Sequence, residues 1–265
     1  MIYKKTDNYE LHLGDVLSEL KTIPSESIDM IFTSPPYNID LKKINGKNKE
    51  WYDIYKDNRE YQEYIEWQVN VLNECYRVLK QDGCLFYNHK ERFKDNYYFN
   101  PLFILQKCKL KIKQQIIWNR KQSFNYIDRF GDFYESIYFL YKEVSPKIKT
   151  NHTILGSVWE INPETNNAHP APFPLELPLR AIYSIFDNEE NKTIMDIYNG
   201  SGTTGVASLL LKNKYIGIDI SERYLKQTVK RLDNYMSESM RGQKEIDLHK
   251  NINGGNSLFD LIDTQ

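Results

Sequence analysis

Short apolar runs alternate along the chain with segments whose apolar side chains repeat at helical spacing. The runs predict buried strands, and the helically spaced segments predict amphipathic helices. Residues 9–20 combine a short strand, a Gly14-Asp15 turn and a helix. Further strands are predicted at residues 27–32, 84–87, 107–118 and 133–141, and further helices at residues 61–80 and 175–186. Regular structure is thus predicted over most of the chain.

The clearest pattern lies towards the C-terminus. A strand is followed there by a glycine-rich turn, a helix and a second strand, at residues 193–198, 199–202, 203–211 and 215–220. Ser221 is then placed to cap a helix that runs to residue 236. This is a βαβ unit, which predicts parallel strands and a right-handed crossover.

The strand at residues 27–32 ends in a turn with two consecutive prolines, Pro35 and Pro36. Proline has no N–H to give to a sheet, so the chain must leave the sheet in a stiff, extended conformation. The Ser34 hydroxyl, the proline carbonyls and the Tyr37 ring then lie at the edge where open α/β sheets bind ligands. A cluster of acceptors beside a ring suits an exocyclic amine on a flat base. A polyproline turn or docking segment is the alternative.

Composition excludes some functions and narrows others. The chain has 265 residues and a formal net charge of −1, so it can form one large domain without an overall basic field. Its three cysteines form no CxxC pair, which predicts neither a disulfide framework nor a zinc site, and no metal is expected. No signal peptide or membrane-length apolar run is present. A soluble protein of a reducing cytoplasm is expected.

Any basic footprint must therefore be local. The candidates for contact with nucleic-acid phosphates are Lys42, Lys43, Lys109, Lys111, Arg120 and Lys121. The first two lie within residues 38–60, which lack periodicity and predict a mobile loop that could equally be a solvated one. The next two fall where lysines alternate with apolar residues, on one face of the strand at 107–118, and the last two extend that stretch. Such a strand either contacts phosphates or forms a solvated edge protected against aggregation.

The glycine-rich turn satisfies a G-x-G-x-x-G pattern. Its glycines are Gly200, Gly202 and Gly205, and Asp219 follows at the end of the next strand. A carboxylate in that place can accept ribose hydroxyls, so the pattern predicts an adenosine-type cofactor, either a dinucleotide or S-adenosylmethionine. A turn with a purely structural role is the alternative.

Two further carboxylates bear on the cofactor. Asp196 precedes the turn, where it would repel a pyrophosphate but could face the cationic amino-acid end of S-adenosylmethionine. Asp15 follows the first strand, where it could accept a hydrogen bond from a cofactor or cap the following helix. No Lys-Ser/Thr pair follows the glycines, which argues against a nucleoside triphosphate.

Three separated stretches resemble the amino-DNA methyltransferases of bacterial restriction–modification systems. They are residues 33–38 (TSPPYN), 169–174 (HPAPFP) and 196–204 (DIYNGSGTT). Their order, with the catalytic motif before the cofactor motif, is similar to the family's circularly permuted beta class. Where the family usually has Pro-Phe, this chain has Ile197-Tyr198, which keeps an apolar–aromatic pair and is expected to lower loop rigidity rather than binding.

The resemblance implies an α/β fold with a doubly wound, mostly parallel, seven-stranded sheet that carries a reversed β-hairpin. It also implies S-adenosyl-L-methionine as methyl donor, with S-adenosyl-L-homocysteine as product. The implied cofactor residues are Asp15, Asp196, Tyr198, Gly200, Ser201, Gly202, Thr203 and Asp219. Asp219 would hold the ribose, and Asp15 would approach the adenine. The implied catalytic pocket consists of Ser34, Pro35, Pro36 and Tyr37.

The implied reaction is methylation of a base that is flipped out of duplex DNA. Tyr37 would stack on the base, while Ser34 and the Pro35 carbonyl bind its exocyclic amine. In the family, Ser before Pro-Pro-Tyr goes mostly with cytosine N4 and Asp with adenine N6, so cytosine N4 is expected and adenine N6 is the alternative. A nicotinamide-dependent oxidoreductase would leave Ser34 and Tyr37 unexplained, and a catalytically silent relative would not need them intact.

The expected organisation is a single methyltransferase domain with small additions. The domain spans residues 1–236, with a mobile loop at 38–60, a target-recognition insertion at 143–167 and a polar tail at 237–265. The implied partners are double-stranded DNA and a companion restriction endonuclease, with a homodimer as a further option. The implied location is the bacterial cytoplasm.

Overall fold

The computed structural model describes residues 1–38, 57–94, 97–121, 130–149, 156–163 and 173–240. Its strands are β1 (Ile2–Lys5), β2 (Tyr9–Leu13), β3 (Ile28–Thr33), β4 (Leu79–His89), β5 (Arg92–Lys94), β6 (Tyr97–Phe99), β7 (Lys111–Asn119), β8 (Tyr134–Tyr141), β9 (Val158–Glu160), β10 (Thr193–Asp196) and β11 (Lys214–Asp219). Its helices are α1 (Val16–Leu20), α2 (Tyr61–Val78), α3 (Leu102–Leu105), α4 (Glu176–Phe186), α5 (Thr203–Leu210) and α6 (Glu222–Met240).

Within the described part of the chain, nine strands form one sheet in the order β1-β2-β11-β10-β3-β4-β8-β7-β9. The run from β2 to β4 is parallel throughout. Strand β8 is antiparallel to both β4 and β7, so it is the reversed strand of a hairpin. This architecture is the doubly wound α/β fold that the sequence predicts.

The predicted strand number was too low. Seven strands, from β2 to β7 in sheet order, form the expected sheet, and one further strand extends it at each edge. β1 pairs with β2 in antiparallel fashion, and β9 pairs with β7 in parallel fashion. β5 and β6 form a separate small hairpin. These four strands are only 3 or 4 residues long, which is too short for a distinct apolar pattern.

The hydrophobic core lies on both faces of the sheet. Successive side chains of a strand point to opposite faces, and in β3 the Ile31 side chain packs with residues of α1, α2 and α3 while Phe32 packs with residues of α4. A third cluster joins α5 and α6 to β2 and β11. Each fully buried Ile or Phe side chain contributes about 1.5–3 kcal/mol to stability. The helices therefore fix the strand ends that carry the site.

Strand β4 differs from the prediction at its beginning. The sequence predicts a helix stop at Asp82-Gly83, whereas α2 already ends at Val78 and the strand runs through both residues. A register shift in the β3–β4 pairing accommodates them. The Gly83 carbonyl also accepts a hydrogen bond from the Lys142 N–H. Pairing with β8 therefore overrides the local turn preference.

Two predicted segments take other roles. β7 begins at Lys111, so Lys109 precedes the strand and does not share its face as predicted. Residues 158–160, inside the predicted target-recognition insertion, form β9, and Trp159 and Ile161 are buried in the main core. This part of the stretch belongs to the sheet, whereas residues 150–155 and 164–167 lie outside the described residues.

The C-terminal boundary also shifts. Helix α6 continues to Met240, four residues beyond the predicted end of the domain. The Ser221 hydroxyl accepts a hydrogen bond from the Tyr224 N–H, as expected for its predicted capping role. The rest of the predicted tail, and residues 39–56 of the predicted loop, lie outside the described residues.

Candidate active site

Strands β10 and β3 lie side by side where the strand order reverses, which is where open α/β sheets form their ligand crevice. Both end at the same edge of the sheet because they are parallel. The Thr33 hydroxyl donates to Asp196 Oδ1 over 2.7 Å, across 163 residues of sequence. The Thr204 hydroxyl donates to Asp196 Oδ2 over 2.9 Å. The Ser-Pro-Pro-Tyr motif and the glycine-rich turn are therefore tied together at their bases.

Asp196 has a different environment from the one that the sequence predicts. Its side chain is fully buried, and Oδ1 also accepts the Tyr198 N–H. Burial raises the pKa of Asp196 to about 6, although the hydrogen bonds from Thr33, Tyr198 and Thr204 act against that rise. With no exposed surface, the carboxylate connects two strand ends instead of facing a cofactor.

The glycine-rich turn needs its glycines for two reasons. Gly200 and Gly202 have φ angles of 49° and 80°, in the left-handed region that favours glycine. A Cβ on Gly202 would lie 2.5 Å from Thr228 Cγ2. A Cβ on Gly205 would lie 2.7 Å from the Tyr215 ring, so this glycine permits close packing of α5 on β11. The backbone of the turn thus lies at the start of α5, where helix N–H groups point outward.

The side chains of Ser201 and Thr203 are buried and turned towards α6. Arg231 donates to the Ser201 hydroxyl over 3.0 Å and to the Thr203 hydroxyl over 3.3 Å. Arg231 also donates to the Ser201 carbonyl over 2.8 Å. The sequence predicts both hydroxyls as cofactor contacts, whereas here they hold the turn against α6. The Tyr198 hydroxyl accepts from Gln68 over 3.2 Å.

Asp219 lies at the end of β11, beside the turn. Its Oδ2 accepts the Gly200 N–H over 2.7 Å and its Oδ1 accepts the Ser221 N–H over 2.8 Å. The carboxylate is partly exposed at the ligand edge. Asp15 is close by, since the Gly14 N–H donates to the Asp219 carbonyl. The exposed Asp15 side chain accepts the Ser18 N–H and caps α1, which is the second of its two predicted roles.

The Ser-Pro-Pro-Tyr turn is held by residues of α2 and β4. The Tyr64 hydroxyl donates to the Pro36 carbonyl over 2.8 Å, and Pro35 is buried. The Tyr37 ring stacks on His89 with 4.7 Å between centroids and 27° between planes. Burial lowers the pKa of His89 to about 3, so the imidazole is neutral at physiological pH. One face of the Tyr37 ring is therefore covered by an uncharged ring.

Sequence reasoning missed several residues of this site. Asn88 and His89 end β4, and Glu135 lies near the start of β8, all next to Ser34 and Tyr37. The available signal was a polar pair directly after the apolar run of β4, and a carboxylate inside the otherwise apolar β8. Neither signal indicates which strands become neighbours.

The predicted phosphate contacts fall into different places. Arg120 is mostly buried and pairs with Glu135, so it belongs to the interior of the site and not to a phosphate surface. Lys121 pairs with Glu160 over 3.1 Å at the same edge. Lys111 pairs with Glu143 at the opposite end of the sheet, and Lys109 lies still further along that end. The predicted contacts at Lys42 and Lys43 lie outside the described residues.

The described residues offer neither a metal-binding cluster nor a membrane span. No group of three or more His, Cys, Asp or Glu side chains in these ranges could hold a metal ion. None of the helices in the same ranges is long and apolar enough to span a bilayer.

Comparisons with known proteins agree with one another. A family model described as DNA methylase, and named for N6 and N4 methyltransferases, matches residues 28–230. The DNA adenine methyltransferase YhdJ of Escherichia coli (strain K12) is 29% identical, over 88% of this chain and 86% of its own. The Type II methyltransferase M.PvuII of Proteus hauseri is 25% identical, over 96% of this chain and 91% of its own.

Solved structures share the fold. The cytosine-N4-specific PvuII DNA methyltransferase superposes with a TM-score of 0.70 at 20% identity, over 91% of this chain and 97% of that chain. A DNA modification methylase of Thermus thermophilus, TTHA0409, complexed with S-adenosyl-L-methionine, superposes with a TM-score of 0.62 at 21% identity, over 86% of this chain and 95% of that chain. At these identities the likeness establishes the common architecture.

Proposed function

Since the chain belongs to the DNA methylase family, we propose that it transfers a methyl group from S-adenosylmethionine to the exocyclic N4 amine of cytosine in duplex DNA. The observation that carries this proposal is the hydrogen bond between Thr33 and Asp196. It places the Ser-Pro-Pro-Tyr turn beside the glycine-rich turn at the ligand edge of the sheet. A base pocket and a cofactor site in contact are what direct transfer between two bound molecules requires.

The turn and its neighbours fit S-adenosylmethionine. The left-handed glycines let a ligand approach the backbone, and the partly exposed Asp219 is placed to accept ribose hydroxyls. Gly14 and Asp15 lie beside Asp219, on the side where the adenine would be held. When bound, the cofactor supplies a methyl group on a sulfonium, which is already a good leaving group. The protein therefore contributes mainly by positioning.

The chain's own residues would bind and orient the base. A base inside a duplex is out of reach, so it must be flipped into the pocket. His89 covers one face of the Tyr37 ring, so a base that stacks on Tyr37 lies against the opposite face. Ser34 and the Pro35 carbonyl would accept the two N–H bonds of the amine. No cysteine follows a proline in this chain, so the thiol nucleophile of carbon-5 methylation has no counterpart.

Cytosine N4 is proposed over adenine N6 because a serine precedes Pro-Pro-Tyr. M.PvuII, whose structure is described as cytosine-N4-specific, supports this choice. Adenine N6 is the second candidate, since the similarity to the adenine methyltransferase YhdJ extends over most of both chains. A hydroxyl can accept an amino proton from either base.

The test is mass spectrometry of nucleosides from plasmid DNA of a methylation-free host that expresses this chain. N4-methylcytosine at one recurring sequence supports the proposal. N6-methyladenine reassigns the base and keeps the chemistry. Unmodified DNA from cells that contain folded protein would refute the methyltransferase activity.

The same relatives support a role in restriction and modification. M.HinfI of Haemophilus influenzae, 29% identical over 83% of this chain, is a Type II methyltransferase. We propose that the methylation protects a sequence from a companion endonuclease. Resistance of the modified plasmid to an endonuclease of the same recognition sequence would support this role.

A further inference from the structure

A buried polar cluster lies directly against Ser34 and Tyr37. It consists of Asn88 from β4, Glu135 from β8 and Arg120, which follows β7. Asn88 is 1% exposed and Glu135 is 7% exposed. Glu135 Oε2 accepts from the Tyr37 hydroxyl over 2.9 Å and from Asn88 Nδ2 over 3.1 Å. Glu135 Oε1 accepts from Arg120 Nη1 over 3.0 Å.

The carboxylate sets the direction of the neighbouring hydrogen bonds. An ionised carboxylate only accepts, so the Tyr37 proton is committed to Glu135. Tyr37 Oη then acts as an acceptor towards Ser34, which lies 2.8 Å away. The Ser34 proton therefore points towards Tyr37, and Ser34 Oγ presents lone pairs to the crevice.

Arg120 and Asn88 hold this arrangement in place. Arg120 supplies the opposite charge that a nearly buried carboxylate requires. Asn88 Nδ2 lies within 3.0 Å of Tyr37 Oη and 3.4 Å of Ser34 Oγ, so it meets acceptors on every side. Asn88 Oδ1 is buried and has no hydrogen-bond partner among the described residues. The amide thus acts as a donor even though its own oxygen is left unsatisfied.

We propose that Glu135 is a positioning residue that makes Ser34 an acceptor for the exocyclic amine of the target base. The inference rests on the proposed function and deepens it. An outward Ser34 proton would bond to the lone pair of the amine nitrogen, which must remain available to attack the methyl group. An inward proton leaves Ser34 Oγ to accept an N–H of the amine. Glu135 controls this choice through Tyr37 without touching the base.

The first test is Glu135→Gln, which keeps shape but adds donors. Arg120 only donates, so the new amide oxygen turns towards Arg120 and the new NH₂ turns towards Tyr37. The chain of hydrogen bonds is then reversed, and Ser34 becomes a donor to the amine. Turnover is expected to fall about 100-fold, as it does when one preorganised polar group is lost from an active site. The KM values for DNA and cofactor should change by less than about 3-fold.

Rescue separates positioning from folding. Adding Asn88→Asp to Glu135→Gln moves the carboxylate to a position 3.0 Å from Tyr37 Oη, where it again accepts the tyrosine proton. This double variant should recover at least about 10-fold of the lost turnover. Glu143→Gln is the matched control, because Glu143 is an exposed carboxylate at the opposite end of the sheet, and its turnover should equal that of the wild type.

A second variant tests the same path. Tyr37→Phe keeps the ring and the Glu135–Arg120 pair but removes the connecting hydroxyl. If Glu135 acts through Tyr37, then Glu135→Gln should cost nothing further in the Tyr37→Phe background. Independent losses that multiply would overturn the proposal, as would Glu135→Gln turnover within about 3-fold of wild type. A wild-type chain that methylates no DNA would instead overturn the proposed function.

Discussion

Replacement of Asp196 by Asn should stabilise the fold near neutral pH and remove part of its pH dependence. The carboxylate is fully buried, and burial raises its pKa from 3.8 to about 6. In Asp196→Asn the amide oxygen can keep the bonds from Thr33 and Tyr198. The amide nitrogen then donates to the Thr204 hydroxyl, which can turn its proton to the Phe32 carbonyl, 3.4 Å away. The variant therefore retains the hydrogen bonds without the buried charge.

The magnitude follows from the pKa. A rise of about 2 units corresponds to about 3 kcal/mol between the protonated and ionised forms. The native state binds this proton more tightly than the unfolded chain does, so ionisation lowers the free energy of unfolding as the pH rises from 3.8 to about 6. The contribution is favourable at low pH and lost above the folded pKa. About 2 kcal/mol of the change falls between about pH 4.5 and about pH 6.5.

Urea denaturation of both proteins across that range measures the effect. The difference in unfolding free energy, variant minus wild type, should grow by about 2 kcal/mol towards neutral pH. Taking the difference cancels the other titrating groups, among them Glu189, whose pKa is held low by Lys149 and Lys192 and which acts in the opposite direction. Asp82→Asn, at an exposed position, is the control and should follow the wild type. A pH-independent difference would refute the reasoning.

Three further substitutions test the site. Gly202→Ala should destabilise the fold by about 1–3 kcal/mol in thermal melts, because its Cβ would meet Thr228 at a positive φ, whereas Gly156→Ala has open space and should melt like the wild type. Tyr37→Ala should lower single-turnover rates by at least about 10-fold while cofactor affinity changes by less than about 2-fold, and wild-type rates would exclude the stacking role. Asp219→Ala should weaken S-adenosylmethionine binding about 10-fold by calorimetry, and an unchanged affinity would exclude the ribose contact.

The βαβ unit was predictable because its signals are local. Glycines at fixed spacing, an apolar strand on each side and a capping serine at 221 lie within one short segment. The proline turn was predictable for the same reason, since proline chemistry decides where β3 must end. The placement of both motifs at one sheet edge then follows from parallel pairing.

The rest of the site depends on contacts between distant segments. Tyr37 and Glu135 are 98 residues apart, and no spacing rule connects them. Arg120 looks like a surface cation in sequence, and only its pairing with Glu135 explains its burial. Asp196 could face a ligand or a neighbouring strand, and the choice depended on a hydroxyl from β3. Each of these outcomes was decided by which strands are neighbours.

The two short edge strands have a consequence for assembly. β1 ends in Lys4 and Lys5 and is four residues long, and β9 is three residues long with Glu160 at its end. Short, charged edge strands are poor templates for pairing with another chain. Self-association by extension of the sheet is therefore disfavoured at both ends, and two copies that meet on one DNA duplex would do so through helices and loops.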